Sequence, residues 1–153
     1  MEKIYLASAS PRRVELLKNL TLPFEQKISN VLETVPGNAE PAEYAEALAL
    51  AKARDVAGQM REGIVIGADT IVVYEKEILG KPRDKEDAVR MLRLLSGKIH
   101  QVISGVAVIN AKTGRELVAH EVTKVAFRSL SEEEIRCYAD TGEPADKAGG
   151  YGI

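Results

Sequence analysis

Residues 64–79 read IVIGADTIVVYEKEIL. The β-branched run Ile64, Val65, Ile66 has the chemistry of a strand, and Ile71, Val72, Val73 and Tyr74 repeat it. Between them Gly67, Ala68, Asp69 and Thr70 interrupt the apolar pattern, so the expectation is a strand broken by a polar dyad, inside or at the edge of a sheet. Glu75 and Lys76 then read as a turn, with Glu77, Ile78 and Leu79 as the return strand. A carboxylate beside β-branched residues is costly unless it binds a cation or accepts hydrogen bonds. Asp69 is therefore a functional candidate, its alternative being an Asp that merely satisfies local backbone donors.

Towards the amino terminus, KIYLAS at 3–8 fits a short strand, and Ser10 followed by Pro11 supplies an N-cap and a first-turn proline for a helix through Leu20. A second short strand is expected at 24–28, then a polar loop holding Glu33, Pro36 and Gly37. Pro41 opens a helix to about Gln59, with Tyr44, Leu48 and Ala51 on its inner face. Towards the carboxyl terminus, Gly80, Lys81 and Pro82 break the chain before an Asp84-capped helix that turns Ala88, Met91, Leu92 and Leu95 inward and ends at Gly97. The stretches 101–109 and 117–127 read as an antiparallel hairpin around a turn at 110–115 with Gly114 at its end. Ser131 and Glu134 form a capping box for a last helix to about Asp140. No linker divides the sequence, so one α/β or α+β domain over 1–153, built on a mixed sheet, is expected.

Composition narrows the ligand. A net charge of −2 leaves no global basic field for a nucleic-acid backbone, so a polyanion must be met by a local cluster, which points to a small phosphate ligand. The single cysteine, Cys137, excludes an intrachain disulfide, and no run reaches the roughly 20 apolar residues of a membrane span. With no apolar signal segment in MEKIYLASASPRR, a cytoplasmic location is expected. Cys137, His100 and His120 have no partners at metal-ligand spacing and read as ordinary side chains.

Two local clusters could carry the chemistry. In SASPRR, residues 8–13, a strand gives way to a helix whose amino end offers unpaired N–H groups and a positive dipole. Ser8 and Ser10 add hydroxyls, and Arg12 and Arg13 add planar forks that match phosphate oxygens; the bland alternative is a capped surface helix with two solvated arginines. Asp69 with Thr70 is the second cluster. Glu33, Lys52, Lys81 and Lys147 gain meaning only by converging on these, since most of the 21 Lys and Arg must be solvated. Lys52, between Ala51 and Ala53, could project either way.

These blocks fall in a recognisable order. SASPRR followed by Glu15, Leu16 and Leu17, then Lys52-Ala53, GADTIV at 67–72, LGKP at 79–82, Met91 through Leu95-Ser96-Gly97, and Lys147-Ala148-Gly149 resemble the successive signatures of Maf-type nucleoside triphosphate pyrophosphatases. The resemblance implies an elongated mixed sheet flanked by helices, with a two-lobed cleft, like the inosine triphosphate pyrophosphatases. It implies hydrolysis between the α and β phosphates with a divalent cation, Mg²⁺ or Mn²⁺. It assigns Ser8, Ser10, Arg12, Arg13, Lys52, Thr70 and Lys81 to the substrate, Asp69 to catalysis, and Glu33 with Asp69 to the metal. Asp69-Thr70 and Arg12 resemble the dTTP/UTP branch, against alternatives that act on 7-methyl-GTP or inosine nucleotides. A non-catalytic nucleotide- or nucleic-acid-binding regulator is the further alternative, because Maf proteins are also linked to inhibition of septum formation. The implied partners are a nucleoside triphosphate and a second copy in a homodimer, with neither membrane nor nucleic acid. In the family Lys-Ala-Gly continues into a base-choosing glutamine, a strand and a closing helix. This sequence stops at Ile153, as a fragment or as a naturally short protein, and the glutamine lies beyond it.

Overall fold

The computed structural model describes residues 2–32, 38 and 40–152. Its elements are β1 (Ile4–Leu6), α1 (Pro11–Lys18), β2 (Glu25–Gln26), α2 (Pro41–Ala57), β3 (Ile64–Tyr74), β4 (Glu77–Leu79), α3 (Lys85–Leu95), β5 (Ile99–Asn110), β6 (Glu116–Ala126) and α4 (Glu132–Asp140). Two 3-10 turns follow, Glu143–Asp146 and Ala148–Gly150. The strands form one mixed sheet in the order β2-β1-β3-β5-β6, with β4 paired to β3. β1 runs parallel to both β2 and β3, whereas β3 and β4 are antiparallel. β5 and β6 join Asn110 to Arg115 at one end and Lys98 to Phe127 at the other, the antiparallel hairpin expected from the sequence. No helix among the described residues is long and apolar enough to cross a membrane.

The local signals do what their chemistry dictates. Ser10 caps α1 by accepting from the Arg13 amide, Asp84 caps α3 through the Asp87 amide, and Ser131 with Glu134 makes the full reciprocal box at α4. One expectation is overturned. The stretch around Gly67 and Asp69 is no interruption: β3 runs unbroken for 11 residues. The reason is packing. A Cβ at Gly67 would lie 2.4 Å from the Ala49 carbonyl oxygen, and one at Gly105 on β5 would lie 2.3 Å from that of Ala45. Both glycines are places where α2 presses its backbone onto the sheet.

The chain gathers into two compact units. The first holds residues 1–36, 42–69 and 104–121, and its core packs Tyr5, Ala7, Ala49, Ala53, Val56, Val65, Ala107 and Ile109. The small residues there are what let α2 sit close. On α2, Tyr44 and Leu48 are buried as expected, but Ala51 is only half-buried and Lys52 takes the inward position beside Ala53. The second unit holds 37–41, 70–103 and 122–153, where α3 buries Met91 and Leu95 with Val72, Leu79 and Val102, and Val89 and Leu92 with Ile135 and Ala139 of α4.

Within the second unit His100 is 2% exposed, edge-on to Phe127 and Tyr151, with its Nε2 2.6 Å from the Tyr151 hydroxyl. Burial holds its imidazolium pKa below the ordinary 6.5. As pH falls below that value the unfolded chain takes up a proton that the folded chain refuses, so folding loses stability towards acid.

Two outcomes are expected. Gly67→Ala should cost about 3 kcal/mol in urea unfolding, because the added methyl meets helix backbone that cannot rotate away. Between pH 7.5 and 5.5 the melting temperature of the wild type should drop further than that of His100→Gln, and equal drops would remove His100 from the acid response.

Candidate active site

The first unit brings five of the sequence candidates together: Ser8, Ser10, Arg13, Lys52 and Asp69. β1 ends at Leu6 and the chain passes through Ala7, buried, to Ser8, 5% exposed, before α1 begins at Pro11. The Ser8 hydroxyl oxygen is a hub: it accepts from the Ser10 amide at 3.1 Å and from the Arg13 guanidinium at 3.3 Å. Arg13 in turn places a second nitrogen 4.0 Å from Asp69 Oδ1. Lys52 reaches the same oxygen from α2, with Nζ at 3.0 Å. Asp69 is 6% exposed and Lys52 8%, so this pair is largely withdrawn from water.

Taking both charges out of water costs several kcal/mol before their attraction repays it, and apolar residues of like volume would often serve stability as well. A structural purpose is thus a weak explanation for the pair. The arrangement has a chemical one: a carboxylate held in place by two cations, under the amino end of a helix that attracts anions. α1 buries none of its residues. Its position rests on polar contacts, chiefly those at Ser8.

Sequence reading missed one participant. Gln26 on β2 donates from Nε2 to the Ser8 carbonyl oxygen at 2.7 Å, fixing the backbone of the hub from the other side. Its signal is absent from composition and spacing, since it depends on the two-residue pairing of β2 with β1 that sets Gln26 opposite Leu6. Of the remaining candidates, Arg12 is exposed on the first turn of α1, and Thr70 is half-buried next to Asp69 on β3. Lys81 is exposed in the second unit after β4, and Lys147 there donates to the Glu143 carbonyl oxygen at 2.7 Å. Glu33 lies outside the described residues.

Among the described residues no three His, Cys, Asp or Glu side chains gather as a metal cage. Asp69 still fits a hard divalent cation of the Mg²⁺ kind, which binds through one or two carboxylates and takes its other ligands from water and substrate phosphates.

Comparison with known proteins identifies the family. The sequence profile of the Maf-like protein family matches residues 3–153. A dTTP/UTP pyrophosphatase of Desulforamulus reducens is 53% identical over 153 residues, covering 100% of this chain and 80% of its own length. One from Pelotomaculum thermopropionicum is 52% identical with the same coverage. The Staphylococcus aureus Ham1 protein superposes with a TM-score of 0.55 at 14% identity, over 82% of this chain and 71% of its own, a likeness of fold alone. With a profile match from residue 3 to the end and relatives this similar along the whole chain, the protein belongs to the Maf-like family.

Proposed function

We propose that the protein is a nucleoside triphosphate pyrophosphatase acting on dTTP and UTP. The observation that carries the reading is Asp69, a buried carboxylate met by Lys52 at 3.0 Å and Arg13 at 4.0 Å beside the amino end of α1. The names borne by relatives more than half identical supply the bases. On this reading 1–153 is one Maf-like domain working in the cytoplasm as a homodimer. Exposed Leu117, Val118 and Val122 on the end strand β6 support the second copy.

The triphosphate lies against the α1 amino end, where the Arg12 backbone N–H, the Ser10 hydroxyl and the Arg12 guanidinium donate to its oxygens. Arg13 and Lys52 neutralise charge that grows on the phosphates as the bond breaks. Asp69 accepts a proton from, or orients, the water that attacks the α phosphorus. The bond to the α–β bridging oxygen breaks, and nucleoside monophosphate and pyrophosphate result. Asp69, with Glu33 as the second proposed ligand, would hold a divalent cation, which would supply further charge stabilisation for the phosphates. Lys81 is assigned to the triphosphate as well.

Pyrophosphate release from a panel of dTTP, UTP, CTP, GTP, 7-methyl-GTP and ITP, with Mg²⁺ or Mn²⁺, tests the reading. Preference for dTTP and UTP is the expected result, whereas nucleotide binding without release would make the protein a regulator instead. Asp69→Asn keeps the shape and removes the charge, so kcat should fall by on the order of a hundredfold with an unchanged circular dichroism spectrum. For Lys81→Ala the expected change is a raised KM for dTTP, and unaltered kinetics would take Lys81 out of the site.

A further inference from the structure

The chain after Lys147 lies beside the backbone that leads from β4 into Lys81. The β3–β4 ladder ends with Val72 opposite Leu79. Gly80, the next residue, gives its carbonyl oxygen to the Gly149 amide at 3.1 Å, so the terminal segment takes over where the ladder stops. Gly149 has φ +71°, and a Cβ there would sit 2.9 Å from one methyl of Val72 and 3.0 Å from the other. Val72 is fully buried and cannot yield, so no side chain fits between the segment and β3.

Gly149 thus anchors the segment to the residue immediately before Lys81. Gly150 follows at φ +79°, where a Cβ would come no nearer than 3.7 Å to the Ala88 carbonyl oxygen, so its conformation and not crowding calls for glycine. The segment itself is tied back by Gly150 donating to the Lys147 carbonyl oxygen at 3.0 Å. It is pinned at its end by Tyr151, whose ring packs edge-on against Phe127 and His100 with centroids 4.8 and 5.5 Å away.

The pin is polar at a place that could have been apolar. His100 Nδ1 is buried with no hydrogen-bond partner, which costs stability because the atom gives up water without a replacement. A leucine or phenylalanine would avoid that cost. What the imidazole adds is the bond from Nε2 to the Tyr151 hydroxyl, 2.6 Å long and sheltered from water.

We propose that residues 147–151 are a brace that fixes the backbone immediately before Lys81, with the Tyr151–His100 hydrogen bond as its pin, making Tyr151, His100 and Gly149 positioning residues for triphosphate binding. The proposal rests on the assignment of Lys81 to the triphosphate, and its test separates the two. Tyr151→Phe keeps the ring contacts and removes the hydroxyl. In the full chain it should raise KM for dTTP about fivefold, the equivalent of one ordinary hydrogen bond, with kcat within about twofold of wild type. In a Lys81→Ala background the same change should add nothing, because both act through one side chain. His100→Leu should copy Tyr151→Phe, and His100→Gln, whose amide can take the place of Nε2, should restore the wild-type KM.

Amide hydrogen exchange reads the brace without nucleotide. Tyr151→Phe should speed exchange at Gly149 about fivefold and leave Val65 in the first unit unchanged. Unchanged exchange at Gly149 overturns the brace whatever the kinetics. A fivefold KM effect that persists without Lys81 overturns its aim at that lysine. If Lys81→Ala alone leaves KM unaltered, the assignment of Lys81 fails first, and faster exchange at Gly149 then shows a pin with no role in binding, which also overturns the proposal.

Discussion

The active-site candidate depends on how close one helix lies to one sheet. Where α2 crosses β3 and β5, Gly67 and Gly105 offer no side chain, and the carbonyls of Ala49 and Ala45 occupy the space that Cβ atoms would need. Side chains on alternate residues of a strand share a face, so Gly67 and Asp69 look the same way, towards α2. Lys52, one turn on from Ala49 and next to Ala53, is the helix residue above that face. A helix kept off by even one methyl layer could not hold its Nζ at 3.0 Å from Asp69 with both groups buried. The glycine contact therefore sets the geometry of the charge pair.

That proximity explains how a chain of net charge −2 can serve a polyanion. The positive groups need not dominate the surface if three of them, Arg13, Lys52 and the amino end of α1, converge on one low-dielectric spot. Coulomb attraction grows as the effective dielectric falls, so a few sheltered cations outweigh many solvated ones. The opposing carboxylate is the unusual part. Asp69 cancels part of the attraction for phosphate, which makes sense only if its own oxygen has work to do on a water or a cation.

How much of this could be read in advance varies with the range of the interaction. Caps are local, so Ser10, Asp84 and Ser131 with Glu134 announced their helices from three or four residues alone. Ser8, Arg13, Lys52 and Asp69 were legible as a set through an ordered family pattern, and their meeting could not be deduced from spacing. Gly67 was misread because glycine in a strand signals a break when only the chain is in view, and signals close approach once the helix above it is known. For the same reason Ala51 and Lys52 exchanged places: periodicity assigns a face by hydrophobicity, and here the inward residue is charged because its partner is too. Gln26 and the His100–Tyr151 bond left no mark in the sequence, each being a side-chain contact made across strands or across 51 residues.

The two sides of the first unit's site are also held by different forces, and the difference fits a ligand that comes and goes. Asp69 and Lys52 stand on elements with fully packed apolar neighbours, Val65, Ala53 and Val56 among them, so their geometry is set before any ligand arrives. α1 leaves even Val14 and Leu17 only half-buried, and hydrogen bonds through Ser8, Arg13 and Gln26 help keep it near Asp69. Such contacts are worth about 1 kcal/mol each and compete with water, so the helix is the part of the site easiest to displace. A triphosphate bridging the α1 amino end and the cations beneath would restore to α1 the attachment that its sequence does not provide through burial. A rigid floor with a lightly held rim would let a ligand leave without disturbing the carboxylate that the proposed reaction uses.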